Sequence, residues 1–240
     1  MSILRMPAWA RDVADRLLPR RCFLCASPSH SAFLCQACEQ SLPGLPPGGC
    51  RVCARPLPAP DDAGAVCGQC MAQPPTYDAT IAAFRYEFPL DRIIQSLKYG
   101  HRLACATFLS EALLPLIHAD STACIVPVPL SRQRLAERGF NQAYEIGRVL
   151  GARGGWALDN TLVQRQRHTR PQVDLPWKSR HKNIHGAFSC NSSLAKRHIL
   201  LLDDVMTTGA TLNELAGVLK RHGAARVTNV VVARALLNQD

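Results

Sequence analysis

The sequence predicts an α/β domain, a parallel sheet with helices on its faces, preceded by a small cysteine-rich module. Three observations predict it. Eight of the eleven cysteines stand before Met71, in the Cys-x-x-Cys pairs Cys22/Cys25, Cys35/Cys38, Cys50/Cys53 and Cys67/Cys70. From Ala79 onward, short apolar runs alternate with segments of helical periodicity. One such run, His198 to Leu202, leads directly into Asp203-Asp204 and a Thr-Thr-Gly-Ala-Thr turn that opens a helix.

The 240 residues leave room for one domain of about 150 residues plus a smaller module. The expected division is a short helix in 1–20, a cysteine module in 21–72 and the α/β domain in 73–240. Met6, Ala10, Val13 and Leu17 fall on one helical face. The stretches between knuckles are rich in Pro and Gly and too poor in apolar residues to pack without a staple. Gln73-Pro74-Pro75-Thr76 reads as a linker. Thr80 to Tyr86 reads as a strand, and Leu90, Ile93, Ile94 and Leu97 mark a helix stopped by Gly100. A second helix is expected over Leu103 to Leu114, a buried strand over Cys124 to Val128 and a helix over Phe140 to Leu150. After the strand at His198 to Leu202, the residues Leu212, Leu215, Ala216 and Leu219 share one helix face, with Gly223 as the stop. Val227 to Ala233 supplies the last strand.

No apolar stretch approaches the roughly 20 residues of a membrane helix, so no membrane insertion is expected. Charges at Arg5, Arg11, Asp12, Asp15 and Arg16 break any signal-peptide core. A cytoplasmic location is expected. That compartment disfavours a disulfide framework and favours metal. Two thiolates on a tight turn reach one tetrahedral Zn²⁺, and two knuckles complete a Cys₄ site. Four knuckles therefore predict two structural zinc sites, with sequential and interleaved pairing both open. Cys105, Cys124 and Cys190 read as small core residues.

The net charge of +10 is uneven. Residues 130–198 hold 13 basic and 4 acidic side chains, whereas 1–70 hold 7 and 5, so the excess is a focused field that attracts polyanions. The turn after Leu202 suits such a ligand. Backbone N–H groups at a helix start hold phosphate, Gly209 lets the backbone approach it, and Thr207, Thr208 and Thr211 add hydroxyls. Asp203 and Asp204, expected on the solvent side of the strand end, suit ribose hydroxyls.

Ile199 to Thr211 resembles the phosphoribosyl-diphosphate (PRPP) motif of type I phosphoribosyltransferases. Leu97-Lys98-Tyr99, Val126 to Leu130, Arg138 to Ala143, Arg165 with Thr169 and Gln172, and Arg180 with Asn183 and Gly186-Ala187-Phe188 narrow the likeness. With the paired zinc knuckles they resemble the ComF family of competence-associated proteins, from Cys22 to about Arg234. The resemblance implies a type I phosphoribosyltransferase-like sheet behind a double zinc ribbon. It implies that Asp203, Asp204, Val205, Met206, Thr207, Thr208, Gly209, Ala210 and Thr211 bind PRPP with Mg²⁺, joined by Arg167 and Arg180. Lys98, Arg138, Arg165, Asp203 and Asp204 are the implied catalytic set. Leu130 to Arg138 would be a loop bordering the pyrophosphate, and Gln164 to His185 a basic hood.

Thr207 departs from purine-salvage relatives, where an aspartate contacts the base, so the acceptor is left open. The implied function is a PRPP-binding protein linked to DNA uptake in natural transformation, with phosphoribosyl transfer to an unidentified acceptor. The alternative is a non-catalytic accessory that binds single-stranded DNA or docks DNA-uptake and helicase proteins.

Overall fold

The computed structural model describes residues 21–29, 33–57, 64–166 and 186–236. The expected first helix, most of the basic hood and the expected site residues Arg167 and Arg180 lie outside them. The chain divides into two compact units, residues 1–42 and 43–240.

In the smaller unit a turn at Cys22–Cys25 is followed by helix α1 (Gln36–Gln40). Cys22 N–H bonds Ser27 O at 2.8 Å, and Ala26 turns left-handed at φ 59°. Phe23 stacks on Phe33 with centroids 4.8 Å apart.

The larger unit repeats that local pattern. Cys50 N–H bonds Arg55 O at 2.7 Å, Ala54 sits at φ 56°, and helix α2 (Gly68–Ala72) carries the second knuckle. Next come β1 (Ala79–Arg85), α3 (Leu90–Gly100), α4 (Ala104–Leu113), β2 (Cys124–Pro127), α5 (Arg132–Arg138), α6 (Gln142–Gly154) and β3 (Ala157–Leu158). A two-stranded antiparallel ribbon pairs β4 (Val163–Arg165) with β5 (Phe188–Cys190). Strand β6 (His198–Met206), helix α7 (Ala210–Arg221) and β7 (Arg226–Arg234) finish the fold.

The main sheet is parallel, ordered β1-β7-β6-β2-β3. Its central strands are almost wholly buried, as the unbroken apolar runs required. The strand order reverses between β2 and β6: β2 leads to β3 on one side, β6 to β7 on the other. A crevice at such a switch point is where α/β sheets bind ligands. Helix α6 packs closely on the sheet at Gly147, where a Cβ would lie 3.0 Å from Leu158 Cδ1 and 3.1 Å from Leu202 Cδ2.

Two expectations need correction. Leu130 to Arg138 is not a loop: most of it is helix α5, capped by Ser131 Oγ accepting from Arg134 N–H at 3.3 Å. Strand β6 also runs four residues past Leu202, carrying the aspartates within it. Cys105, Cys124 and Cys190 are buried, as expected of core residues.

Candidate phosphate and zinc sites

Cys22, Cys25, Cys35 and Cys38 form one cluster, and Cys50, Cys53, Cys67 and Cys70 the other, their sulfurs within 4.8 Å of one another. The pairing is sequential. Tetrahedral Zn–S bonds of 2.3 Å set sulfurs about 3.8 Å apart. Cys25 and Cys35 Sγ lie 3.6 Å apart, and Cys53 and Cys67 Sγ 3.7 Å. Cys67 N–H donates to Cys50 Sγ at 3.3 Å; burial opposes ionisation of Cys50, yet backbone donors bring its thiol down to about 7. The donors fit two structural zincs, with every position filled by protein. The second cluster is buried within the main core beside Tyr77, Met206 and Leu201. It is also sewn to the sheet, Thr80 N–H bonding Arg51 O at 3.3 Å.

At the crevice, burial alternates along the end of β6: Asp203 and Val205 are partly open, Asp204 and Met206 buried. The expectation that both carboxylates face solvent therefore fails for Asp204, which is 5% exposed. Its Oδ2 lies 2.5 Å from Lys98 Nζ on α3 and accepts from Gln142 Nε2 at 3.4 Å. Arg138 extends the network, donating to Gln142 Oε1 at 3.1 Å and standing over the Tyr99 ring at 5.3 Å. Burial alone would raise Asp204, but the Lys98 ammonium outweighs it and holds the carboxyl below its ordinary range. Asp203 goes the other way. Burial, then the charge on Asp204, pushes it up to about 7. Arg165 stands on β4 over Phe188 at 5.5 Å, where burial and then Arg134 oppose its charge and Asp203 supports it.

Directly after β6 the chain turns through Thr207 and Thr208 to Gly209, which caps α7 at φ 79°. Thr208 Oγ1 accepts from Ala210 N–H at 3.2 Å. A Cβ on Gly209 would point inward, 2.6 Å from Met206 Cε and 3.2 Å from the Tyr77 oxygen. Glycine is needed here for its positive φ, and not, as the sequence suggested, to clear space for the anion. Behind the turn lies a cavity of about 240 Å³, lined among others by Cys53, Cys70, Tyr77, Thr208 and Arg234.

The structure thus gathers Lys98, Arg138, Arg165, Asp203 and Asp204 with the 205–211 turn. Sequence reasoning reached Gln142 and Arg134 only as members of longer stretches, without a role of their own, and missed Tyr77 and Arg234 as parts of the arrangement. Only Arg234, a charge ending a run of buried apolar residues, left a local signal.

The carboxylate pair has a pH consequence. The folded state holds the Asp203 proton more tightly than an unfolded chain, whose carboxyl titrates near 3.8. Stability from this group is full below pH 4 and is lost as pH rises towards 7. Urea unfolding at pH 5 and pH 7.5 should show wild type losing on the order of 2 kcal/mol relative to Asp203→Asn. Parallel profiles for the two proteins would contradict the assignment.

Two family models match the chain. The double zinc ribbon domain matches residues 13–71, and the phosphoribosyl transferase domain matches residues 144–237. Fold and site together define a phosphoribosyltransferase-type domain carried with a double zinc ribbon. The chain is 33% identical over 228 residues to the DNA utilization protein YhgH of Escherichia coli, covering 91% of this chain and 99% of that protein. It is 32% identical over 231 residues to Competence protein F of Haemophilus influenzae, covering 90% and 97%. The chain belongs to the ComF family of competence and DNA utilization proteins. A purine phosphoribosyltransferase from Pyrococcus horikoshii matches at TM-score 0.32 and 17% identity, over 57% of this chain and 86% of that one. No helix among the described residues is long and apolar enough to cross a membrane.

Proposed function

We propose that the crevice binds PRPP, or a related phosphoribosyl ligand, together with Mg²⁺, and that the protein serves DNA uptake in natural transformation. One observation carries the reading: a carboxylate pair and a left-handed turn at a helix start share the switch point with three cations. The N–H groups of Thr207 to Thr211 hold the 5′-phosphate, and α7 adds its positive end. Asp203, the partly open member of the pair, accepts the ribose hydroxyls, and Asp204 stands behind it, held by Lys98 and Gln142. Lys98, Arg138 and Arg165 face the diphosphate, joined on sequence grounds by Arg167 and Arg180. With PRPP bound beside Asp203, Mg²⁺ would supply neutralising charge to the diphosphate and so make it a better leaving group.

Transfer would break the bond from C1′ to the diphosphate oxygen, which leaves with the electron pair, and form a bond to the acceptor at C1′. The acceptor's proton passes to solvent, because Thr207 is no base at neutral pH. Positioning and charge neutralisation supply the catalysis. The names of the relatives, competence and DNA utilization, support the cellular role. They equally favour a second reading, an accessory that binds single-stranded DNA or partner proteins through the same basic stretch without turnover.

Calorimetry separates these. Replacing Arg165, Arg167 and Arg180 by alanine should weaken PRPP–Mg²⁺ binding at least about tenfold and leave ribose 5-phosphate within about twofold, since only PRPP carries the diphosphate. Equal losses for both ligands, or none, would remove the arginines from the site. If an oligonucleotide loses affinity and its salt slope flattens by about one unit per arginine while PRPP is unaffected, the accessory reading holds.

A further inference from the structure

Arg234 ends β7 as a buried guanidinium, 5% exposed, and no sequence motif assigns it a task. Its Nε donates to Cys53 O at 3.0 Å. Its Nη1 faces Met206 O at 3.0 Å, Thr207 O, and Ala235 O at 2.6 Å. Each acceptor is a backbone carbonyl. Cys53 is a ligand of the second zinc cluster, while Met206 and Thr207 enter the phosphate turn. One planar fork therefore joins knuckle and turn.

Peptide planarity gives this joint a direction. In a trans peptide the carbonyl and the following N–H point opposite ways. Holding Met206 O and Thr207 O on the guanidinium therefore aims the N–H groups of Thr207 and Thr208 away from it, towards the open side of the turn. Charge favours the same arrangement. A Zn²⁺ bound by four thiolates carries a net charge of −2, and the cluster lies beside a cation held otherwise by neutral carbonyls. Tyr77 packs against the same turn, its hydroxyl behind Gly209.

We propose that Arg234 is a positioning residue that couples occupancy of the second zinc site to the shape of the phosphate turn. The metal-bound knuckle fixes Cys53 O, Cys53 O fixes the fork, and the fork aims the Thr207 and Thr208 amides. The coupling bears on ligand binding only through the phosphate reading given above, so its first test uses no ligand.

Hydrogen–deuterium exchange on the full zinc-loaded chain is that test, with metal analysis on each variant. Arg234→Gln should keep both zincs and speed exchange of the amides of 206–211 at least about tenfold, leaving 199–202 unchanged. Arg234→Lys, which keeps the charge and loses the fork, should fall between. Cys67→Ser should loosen the same turn, and adding it to Arg234→Gln should loosen it no further, because the two act in series. A merely structural arginine would loosen β7 throughout and add to Cys67→Ser. If Cys67→Ser fails to fold, the two Arg234 variants decide alone. Unchanged exchange of 206–211 in zinc-loaded Arg234→Gln would overturn the coupling. Altered exchange in a protein whose wild type ignores ribose 5-phosphate would uphold the coupling and sink the phosphate reading. Wild-type binding of ribose 5-phosphate with unaltered exchange in the variant would do the reverse.

Discussion

Stripping zinc from the second Cys₄ cluster should lower the melting temperature of the whole larger unit by at least about 10 °C. The four cysteines are buried in one apolar cluster with Tyr77, Met206, Leu201 and Val231. Without metal, four thiols converge there with mutual repulsion between any that ionise; burial first, then the charge on Cys53, pushes Cys70 strongly up. Structural zinc contributes about 10–16 kcal/mol of apparent binding energy in small ribbons, more than most domains have in total stability. Even a third of that figure is worth on the order of 10 °C in a domain of this size. Calorimetry with and without chelator, alongside metal analysis, checks it. The expected metal content is about two Zn²⁺ per chain. A metal-free protein that melts as the loaded one does would refute a structural role for this cluster.

Breaking the Lys98–Asp204 pair from one side should cost about 3–5 kcal/mol, because the remaining charge is left buried. The side chains are only 17% and 7% exposed, so water does little to screen them. Lys98→Met and Asp204→Asn should each destabilise strongly, whereas the double variant should recover most of the loss. Urea titration of the four proteins gives the coupling energy directly. Additive losses would mean that the two charges do not sense each other. A carboxylate on the solvent side of the strand end could be replaced at little cost, but Asp204 is buried, so its replacement touches stability as well as the site.

What the sequence revealed follows from how local each signal is. The β6–turn–α7 unit was legible because contiguous apolar residues, the carboxylates and Gly209 all lie within one stretch. The eight cysteines were legible through their spacing, though the pairing became clear only from the assembled geometry. Helix α5 was read as a loop because it shows no buried stripe: Leu135 is 45% exposed, and a Ser131 cap with a Gln133–Glu137 bond accounts for its order. The β4–β5 ribbon escaped notice since each strand is three residues long and its partner lies far along the chain. Lys98 meeting Asp204, and Arg234 meeting Cys53, join residues more than a hundred positions apart. No local pattern encodes such pairs; only the assembled sheet brings them together.

Titrating isotope-labelled protein with ribose 5-phosphate, and following backbone amide shifts, tests the phosphoribosyl site most directly. The largest changes should fall on the amides of 207–211, with smaller ones at Asp203, Asp204 and the Lys98 region. Gly209→Val, strained at a φ of 79°, should abolish them. Shifts centred elsewhere, or none at millimolar ligand in a folded, zinc-loaded protein, would contradict the account.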